Sequence, residues 1–396
     1  MELRKHVNRQ TNWAAKLMRS TLVVVFAACG LLLTASAGAQ TLVPKPPDVS
    51  APAYMLVDFT SGLQLAGDNV DARLEPASLT KMMTAYVVFA ELTEGNIALD
   101  DLVLISEKAW RTGGSKMFVE VDKQVDVESL LKGVIVQSGN DASVALAEFI
   151  AGDESAFANL MNQYAVRLGM KDSNFQNSTG LPDDDHYTTA ADLVTLSIAM
   201  IRDFPTFYQW HAIKSFTWND IDQRNRNKLL WRDDSVDGIK TGYTSSAGYC
   251  MVTSALREDM RLIAVVLGSR SEKIRAKESQ ALLNFGFRFY ETHEVYARGA
   301  PLTKVRVWKG EREELDLGLM ASLAVTVPRG QFKKLEATVE VDADIVAPVA
   351  KGETHGRVVL QLGDEQIAQR PLVALTEIPE GGLWRKLQDN VKLLFH

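Results

Sequence analysis

The chain has 396 residues, more than one hydrophobic core usually supports, so two domains are expected rather than one. Hydrophobic residues make up 46% of it and charged residues 23%, which is the composition of an ordinary soluble globular protein. Its formal net charge of −7 argues against a nucleic-acid-binding protein, which would carry an excess of basic residues.

Residues 1–39 have the pattern of a secretory signal peptide. Basic side chains precede an apolar run from Leu22 to Leu33, and a small-residue stretch follows, which predicts cleavage after Ala39 or, as second choice, after Ala37. An uncleaved membrane anchor is the alternative, but the run is shorter than the roughly 20 residues that a bilayer span needs. Cleavage would change the net charge to −11, so no nucleic-acid partner is expected.

The chain contains two cysteines, Cys29 and Cys250. Cys29 lies in the apolar run and would leave with the signal peptide, so the exported chain cannot form an internal disulfide. Lipidation of Cys29 is an alternative, although the apolar run continues beyond it to a better cleavage site.

Residues 40–292 are expected to form the first domain. From Ala53 to Tyr290 short β-type runs alternate with long amphipathic patterns, which predicts a mixed α/β domain with one large core. Helices are predicted at Leu79–Leu92, Val127–Ala151, Ser155–Leu168, Thr189–Arg202 and Lys273–Tyr290. Strands are predicted at Tyr54–Asp58, Gly248–Leu256 and Arg261–Gly268, the last two joined as a hairpin through Arg257–Met260.

Residues 293–379 change to short alternating segments separated by Gly and Pro, which predicts a small all-β domain. Its predicted strands are Lys304–Trp308, Leu323–Val327, Leu335–Val341 and Arg357–Leu362.

Residues 380–396 form a third unit with an amphipathic helical pattern. Its apolar positions are Leu383, Trp384, Leu387, Val391, Leu394 and Phe395, and its basic positions are Arg385, Lys386 and Lys392. Aromatic residues and an excess of cations predict a helix that lies in a membrane surface. The alternative is a terminal helix that docks on the β domain.

Ser78 stands three residues before Lys81 at the start of the first predicted helix. On a helix the two side chains share a face, and Pro76 favours a helix start, where unpaired backbone N–H groups stabilise a developing oxyanion. A serine hydroxyl needs a base to become a nucleophile, and Lys81 can be that base only if burial or a neighbouring cation keeps it uncharged. The pair is a candidate nucleophile and base, although Ser129 and Lys132 have the same spacing.

Two further segments distinguish Ser78 from Ser129. In Ser138-Gly139-Asn140, the Ser138 hydroxyl can relay a proton between Lys81 and a leaving group, and the Asn140 amide can hold Lys81 or a substrate carbonyl.

The second segment is Lys240-Thr241-Gly242, just before the predicted strand at Gly248. Lys240 and Thr241 can attract a substrate carboxylate, and Gly242 lets a peptide backbone approach closely. Lys240 is also expected to lower the pKa of Lys81 by like-charge repulsion.

This ordered triplet resembles the three signatures of the penicillin-recognising serine enzymes. Four segments look like those of the low-molecular-mass D-alanyl-D-alanine carboxypeptidases, peptidase family S11: Leu130–Asp141, Thr179–Pro182 with His186-Tyr187, Val236–Gly242 and Phe285–Tyr290. The resemblance covers nearly the whole exported chain. It implies a catalytic domain of the β-lactamase/transpeptidase-like α/β fold, followed by the small all-β domain and the amphipathic helix.

By this resemblance Ser78 would attack the amide between the two terminal D-alanines of a peptidoglycan stem peptide, release the last D-alanine and pass the acyl group to water. β-Lactam antibiotics would acylate the same serine. The resemblance also implies an oxyanion hole from the backbone N–H groups of Ser78 and Tyr243, and a substrate-carboxylate site with Arg275 and, as a weaker correspondence, Arg226. No metal or cofactor is expected. The protein would lie on the periplasmic face of the bacterial inner membrane, held by residues 383–396.

The sequence leaves two points undecided: the effect of having tyrosine at position 243 and the role of His186. Tyr243 stands where some close relatives carry histidine; its backbone suffices for the oxyanion hole, but pH dependence and β-lactam preference are not predicted. His186 is either a structural residue that shapes the loop after Gly180 or an exposed loop histidine.

Two rival functions are considered. A β-lactamase would share the motifs, but no Glu-x-x-Leu-Asn-like segment follows Ser138 and an appended β domain is not expected there. A catalytically silent wall-binding protein would not need the catalytic residues, so the presence of all of them argues against this function. A Ser-His-Asp hydrolase or a zinc enzyme lacks its motif in this sequence.

Overall fold

The computed structural model describes residues 43–393. The predicted signal peptide, its cleavage site and Cys29 lie outside these residues. The helices are α1 Thr80–Glu94, α2 Glu107–Arg111, α3 Val127–Lys132, α4 Asn140–Ala151, α5 Glu154–Leu168, α6 Ala190–Asp203, α7 Pro205–Tyr208, α8 Glu272–Phe289 and α9 Leu383–Leu393. The strands are β1 Ala53–Asp58, β2 Gln64–Asp68, β3 Leu102–Leu104, β4 Gln124–Asp126, β5 Ser215–Trp218, β6 Ile221–Arg224, β7 Val236–Thr244, β8 Gly248–Arg257, β9 Met260–Ser269, β10 Tyr290–Tyr296, β11 Pro301–Trp308, β12 Glu314–Gly318, β13 Leu323–Pro328, β14 Leu335–Val341, β15 Ile345–Val346, β16 Thr354–Leu362 and β17 Glu365–Ala374.

A five-stranded antiparallel sheet, ordered β2-β1-β9-β8-β7, forms the centre of the first domain. The β8–β9 hairpin is confirmed, with Arg257 paired to Met260 across a two-residue turn. Alternate residues of β9 are buried on opposite faces, because side chains alternate along a strand. Ile263 and Val265 join the core under the helical layer that contains α1, and Leu262 and Ala264 pack with α8 on the other face.

The helix predicted at Val127–Ala151 is wrong as a single element. It is interrupted after α3 by a π-helical turn at Gly133–Gln137 and by Ser138, whose φ of 67° is left-handed. Tertiary contacts hold the break: Asn140 N donates to Ser115 O at 2.7 Å, and the buried Asp141 carboxylate accepts from the backbone of residues 117–119. The apolar pattern runs through the interruption, so periodicity does not reveal it.

The second domain is all-β, as predicted. β10 pairs with β13, and a six-stranded sheet has the order β14-β16-β17-β12-β11-β15. Hydrogen bonds join the β10–β13 pair to the first domain: Thr292 Oγ1 donates to Asp58 Oδ2 at 2.8 Å, and the hydroxyls of Ser61 and Thr326 are 2.6 Å apart. The strands predicted in this region all form, and β10, β12, β15 and β17 are additional.

The terminal helix α9 turns its polar side to the β domain. Asp389 is 1% exposed and accepts a hydrogen bond from Lys309 N at 2.7 Å. The apolar side faces outward, with exposures of 87% for Leu383, 79% for Trp384, 58% for Leu387 and 52% for Val391. The helix therefore docks on the β domain, as the alternative expected, but it does so through its polar side. Within residues 43–393, no helix combines the length and apolar character that crossing a membrane would require.

Candidate active site

Ser78 lies in a short 3₁₀ turn, Ala77–Leu79, immediately before α1. Ala77 has a left-handed φ of 48°, so the chain turns sharply just before the serine. Gly180 packs against this turn. A Cβ at Gly180, whose φ is +80°, would lie 1.8 Å from Ala77 O, so only glycine permits the approach. The half-buried Ser78 side chain lines a cleft of about 470 Å³.

Lys81 is 1% exposed, and its Nζ has three oxygen neighbours. Asn140 Oδ1 lies at 2.7 Å, Thr179 O at 2.6 Å and Ser78 Oγ at 3.2 Å. The Asn140 amide is oriented because its Nδ2 donates to Gly113 O at 2.6 Å, which leaves Oδ1 to face the lysine. A neutral amine has two N–H donors. The two oxygens that can only accept take both donors, so the lone pair is left for the Ser78 hydroxyl proton.

The pKa of Lys81 is lowered to about 7, mainly by burial and next by the positive charge of Arg226. Asp141 and Glu154 oppose this change. Repulsion between the two lysines was expected to lower the pKa of Lys81, but it lowers the pKa of Lys240. That pKa lies well below its ordinary value, mainly because of burial and next because of the positive charges of Lys81, Arg226 and Arg275. At neutral pH a substantial fraction of Lys81 is therefore uncharged, as a general base must be.

Replacing Arg226 with glutamine should raise the pKa of Lys81, because removing a nearby cation makes the charged form less unfavourable. The acid limb of the pH profile of kcat/KM should then move to higher pH, by up to about one unit. Arg226→Lys keeps the charge and should leave the limb nearly in place. Since Arg226 is exposed, high salt should shrink the difference. Superimposable limbs for wild type and Arg226→Gln at low salt would exclude this role.

Ser138 and Asn140 form one wall of the cleft. The left-handed conformation at Ser138 reverses the chain, so that Asn140 begins a new helix beside Lys81. Ser138 Oγ is buried and makes no hydrogen bond to another group of residues 43–393, which leaves it available to a reacting group.

The opposite wall is β7, the edge strand of the sheet, which the sequence did not predict as a strand. Lys240, Thr241 and Gly242 lie within it, and Lys240 Nζ donates to Thr241 O at 3.1 Å. A Cβ at Gly242 would lie 2.9 Å from Pro76 O and 3.1 Å from Ser78 N. The glycine therefore lets the strand pack closely against the turn that carries Ser78. Tyr243 follows and is 53% exposed.

Arg275 enters the cleft from the first turn of α8. Its Nη1 donates to Gly242 O at 2.9 Å and to Cys250 O at 3.3 Å, so it also holds β7 in place. Arg226 and Glu272 line the same cleft, and Arg226 Nε donates to Gln137 O at 3.2 Å. Ser78, Lys81, Ser138, Asn140 and the residues of β7 thus come together around one cleft that is rich in positive charge.

His186 is buried, so the alternative of an exposed loop histidine is wrong. Its Nδ1 accepts from Gln176 N at 3.3 Å, and its Nε2 lies 2.8 Å from Thr80 Oγ1. Burial lowers its pKa to about 4, so the ring is neutral at pH 7. It ties the loop around Gly180 to the start of α1.

Two supporting groups were not identified from sequence. Thr179 acts through its backbone carbonyl, which no side-chain pattern reveals, although the Thr179–Pro182 segment supported the resemblance. Asp141 anchors the loop that carries Gly113, and so supports the orientation of Asn140. The one feature of the sequence that could have indicated Asp141 is its position directly after Asn140.

These groups have the arrangement that serine acyl transfer requires: a hydroxyl at a helix start, a buried amine of lowered pKa, and a cationic cleft beside an open strand edge. Residues 40–271 match the family model described as D-alanyl-D-alanine carboxypeptidase, and residues 290–380 match that of the penicillin-binding protein 5 C-terminal domain.

Individual relatives agree. The D-alanyl-D-alanine carboxypeptidase DacC of Escherichia coli is 44% identical over 92% of each chain, and DacA of the same organism is 42% identical over 98% of each. The solved penicillin-binding protein 5 of Haemophilus influenzae superimposes with a TM-score of 0.83 at 42% identity, covering 85% of this chain and all of that one. The chain belongs to the D-alanyl-D-alanine carboxypeptidase family, and the resemblance seen in the sequence is confirmed.

Proposed function

We propose that the protein is a serine D-Ala-D-Ala carboxypeptidase that removes the terminal D-alanine of peptidoglycan stem peptides through an acyl-enzyme at Ser78. The observation that carries the proposal is the geometry of Lys81, whose two N–H donors have fixed acceptors and whose lone pair faces Ser78 Oγ. Membership of the carboxypeptidase family supports the same reaction.

In the acylation step, Lys81 takes the Ser78 hydroxyl proton as Oγ attacks the carbonyl carbon of the penultimate D-alanine. The backbone N–H groups of Ser78 and Tyr243 receive the oxyanion. Removing one such donor typically costs on the order of 10²–10³ in rate. Lys240, Thr241 and Arg275 attract the terminal carboxylate.

In the next step the C–N bond breaks and D-alanine leaves as an amine. Ser138 passes the proton from Lys81 to the leaving nitrogen. Water then attacks the ester carbonyl as Lys81 accepts a proton from it. The bond between the carbonyl carbon and Ser78 Oγ breaks, Lys81 returns the proton to Ser78 Oγ, and the shortened peptide leaves with a new terminal carboxyl group. A β-lactam presents its ring carbonyl at the same position, and its opened ring stays attached to the acyl group.

The direct test is D-alanine release from a peptide that ends in D-Ala-D-Ala, together with covalent labelling by a fluorescent penicillin. Release with stoichiometric labelling is expected. Rapid turnover of penicillin without D-alanine release would favour a β-lactamase, and a folded protein with neither reaction would favour a silent wall-binding protein.

We further propose that residues 1–39 are a signal peptide, followed by a catalytic domain over 40–292, a β-rich domain over 293–379 and a terminal helix over 380–396. The reaction's substrate lies outside the cytoplasm, so export to the periplasm fits the proposed activity. The terminal helix would hold the protein on the inner membrane surface.

The outward apolar side of α9 supports this attachment, and two of its three cations are paired with carboxylates of the β domain or its linker. Arg385 Nη1 is 2.7 Å from Glu313, and Lys386 pairs with Glu380. Burial of exposed apolar side chains, at roughly 1 kcal/mol each, is therefore the main source of affinity, and the attachment is reversible.

Removing residues 383–396 should release the protein from vesicles without changing D-alanine turnover. Leu387→Glu should weaken binding strongly, whereas Gln388→Glu adds the same charge beside it and should weaken binding little. Co-sedimentation in low and high salt checks both, and little salt dependence is expected. Equal losses for the two variants, or sedimentation of the truncated protein, would rule out attachment through the apolar side.

A further inference from the structure

A second cavity of about 570 Å³ adjoins the catalytic cleft. Tyr243 and Tyr249 line both, and their rings are packed with centroids 4.3 Å apart. The second cavity lies at the turn between β7 and β8, and its polar lining includes Arg73, Glu75, Ser245, Ser246, Ser269 and Arg270. Glu75 is three residues before the nucleophile, so this cavity lies beside the start of α1.

The direction of a bound peptide follows from the proposed function. Its terminal carboxylate lies at Lys240 and Thr241, and its scissile carbonyl lies at the N–H of Tyr243. The rest of the acyl chain therefore continues past Tyr243 along residues 244–246. β7 is the last strand of its sheet, so among the described strands none pairs with its outer edge. An extended peptide advances about 3.3 Å per residue, so the one or two residues before D-Ala-D-Ala reach the second cavity.

The charged side chains around this cavity differ in whether they already have a partner. Arg73 is paired with Asp172 at 2.7 Å and stacks over the Tyr187 ring, while Glu75 accepts a hydrogen bond from Ser246 Oγ at 2.5 Å. Arg270 is exposed and has neither an ion pair nor a hydrogen bond to any other described residue. A guanidinium offers paired N–H donors that match a carboxylate.

We propose that this cavity is a subsite for a carboxylate of the stem peptide upstream of the scissile amide, and that Arg270 binds it. The inference rests on the proposed function, which sets the direction of the peptide. The carboxylate can come from the side chain of the residue next to D-Ala-D-Ala, or from the α-carboxylate of a γ-linked glutamyl residue one position further away.

Three substrates separate these sources. Diacetyl-L-Lys-D-Ala-D-Ala has no upstream carboxylate. A γ-D-glutamyl-L-Lys-D-Ala-D-Ala peptide carries one on the second residue, and N-acetyl-meso-diaminopimelyl-D-Ala-D-Ala carries one on the side chain. Arg270→Gln is compared with Lys273→Gln, which removes the same charge from an exposed position of α8 outside both cavities.

We expect Arg270→Gln to raise KM about tenfold on one or both carboxylate-bearing peptides, with kcat unchanged and no effect on the diacetyl peptide. The peptide that loses affinity identifies the source of the carboxylate. Lys273→Gln should behave as wild type. An equal change on all three peptides, no change on either carboxylate-bearing peptide, or the same change with Lys273→Gln would overturn the proposal.

Equilibrium titration of the same peptides into Ser78→Ala protein, with and without Arg270→Gln, makes the test independent of turnover. The same selective tenfold change is expected in Kd. If the wild-type enzyme releases no D-alanine from the diacetyl peptide, the proposed reaction fails, while the titration still decides whether Arg270 recognises the carboxylate.

Discussion

Ser78→Ala is expected to abolish both D-alanine release and covalent labelling by penicillin, because the hydroxyl oxygen is the atom that forms the acyl bond. The loss should approach the size of a nucleophile deletion in another serine peptidase, on the order of 10⁶ in kcat. The variant should still fold, since Ser78 is only half-buried and the one hydrogen bond of its side chain within the described residues is to Lys81. Titration with a D-Ala-D-Ala peptide would detect retained binding.

Ser129→Ala is the matched control, because Ser129 has a lysine at the same spacing. Lys132 pairs with Glu128 and lies 5.2 Å from the centroid of the Trp210 ring, and neither Ser129 nor Lys132 lines the cleft. We therefore expect Ser129→Ala to retain nearly full activity. Inactivation by Ser129→Ala, with Ser78→Ala still active, would show that the site has been assigned to the wrong serine.

The sequence identified the three segments that meet at the site because each contains a residue type that the chemistry needs. Ser78 and Lys81 were placed on one helix start by spacing, and the structure has them there. The strand that carries Lys240 was not predicted, because β7 contains two glycines, Gly238 and Gly242, and a mixed pattern of residues, which weakens the strand signal. The strand forms because it pairs along its whole length with β8.

The break at Ser138 could not be predicted from periodicity. Residues on both sides are apolar and helical, and the interruption depends on contacts with a loop far away in sequence, including Asn140 N to Ser115 O. Local preference is overridden by such tertiary contacts. The orientation of the Asn140 amide depends on the same loop, through Gly113 O, and so was equally hidden.

The source of the lowered pKa of Lys81 was predicted only in part. Burial was expected, but a second lysine was expected to supply the neighbouring cation, and Arg226 supplies it. Arg226 lies outside the three motifs and is brought to the cleft by the chain between β6 and the turn before β7. Its position in the sequence did not indicate that Arg226 lies near Lys81.

Lys81→Met should reduce the rate of acylation by about 10³-fold, because general-base catalysis typically contributes 10²–10⁴ and Ser78 Oγ makes no other hydrogen bond within the described residues. Methionine is close to lysine in length, so the packing of α1 should be retained. The protein should therefore fold and bind peptide while failing to acylate. Rapid-mixing kinetics with a chromogenic cephalosporin measure this step without depending on release of D-alanine.

The pH profile tests the same assignment in the unmodified enzyme. With the pKa of Lys81 at about 7, the amine is protonated below neutrality and cannot accept the serine proton. The acylation rate should fall about tenfold per pH unit on the acid side and level off above the pKa. A profile that stays flat from pH 5 to pH 8, or a limb near the ordinary pKa of a lysine, would contradict Lys81 as the base. Because Arg226→Gln moves this limb and Lys81→Met removes it, the two variants together separate the base from the cation that tunes it.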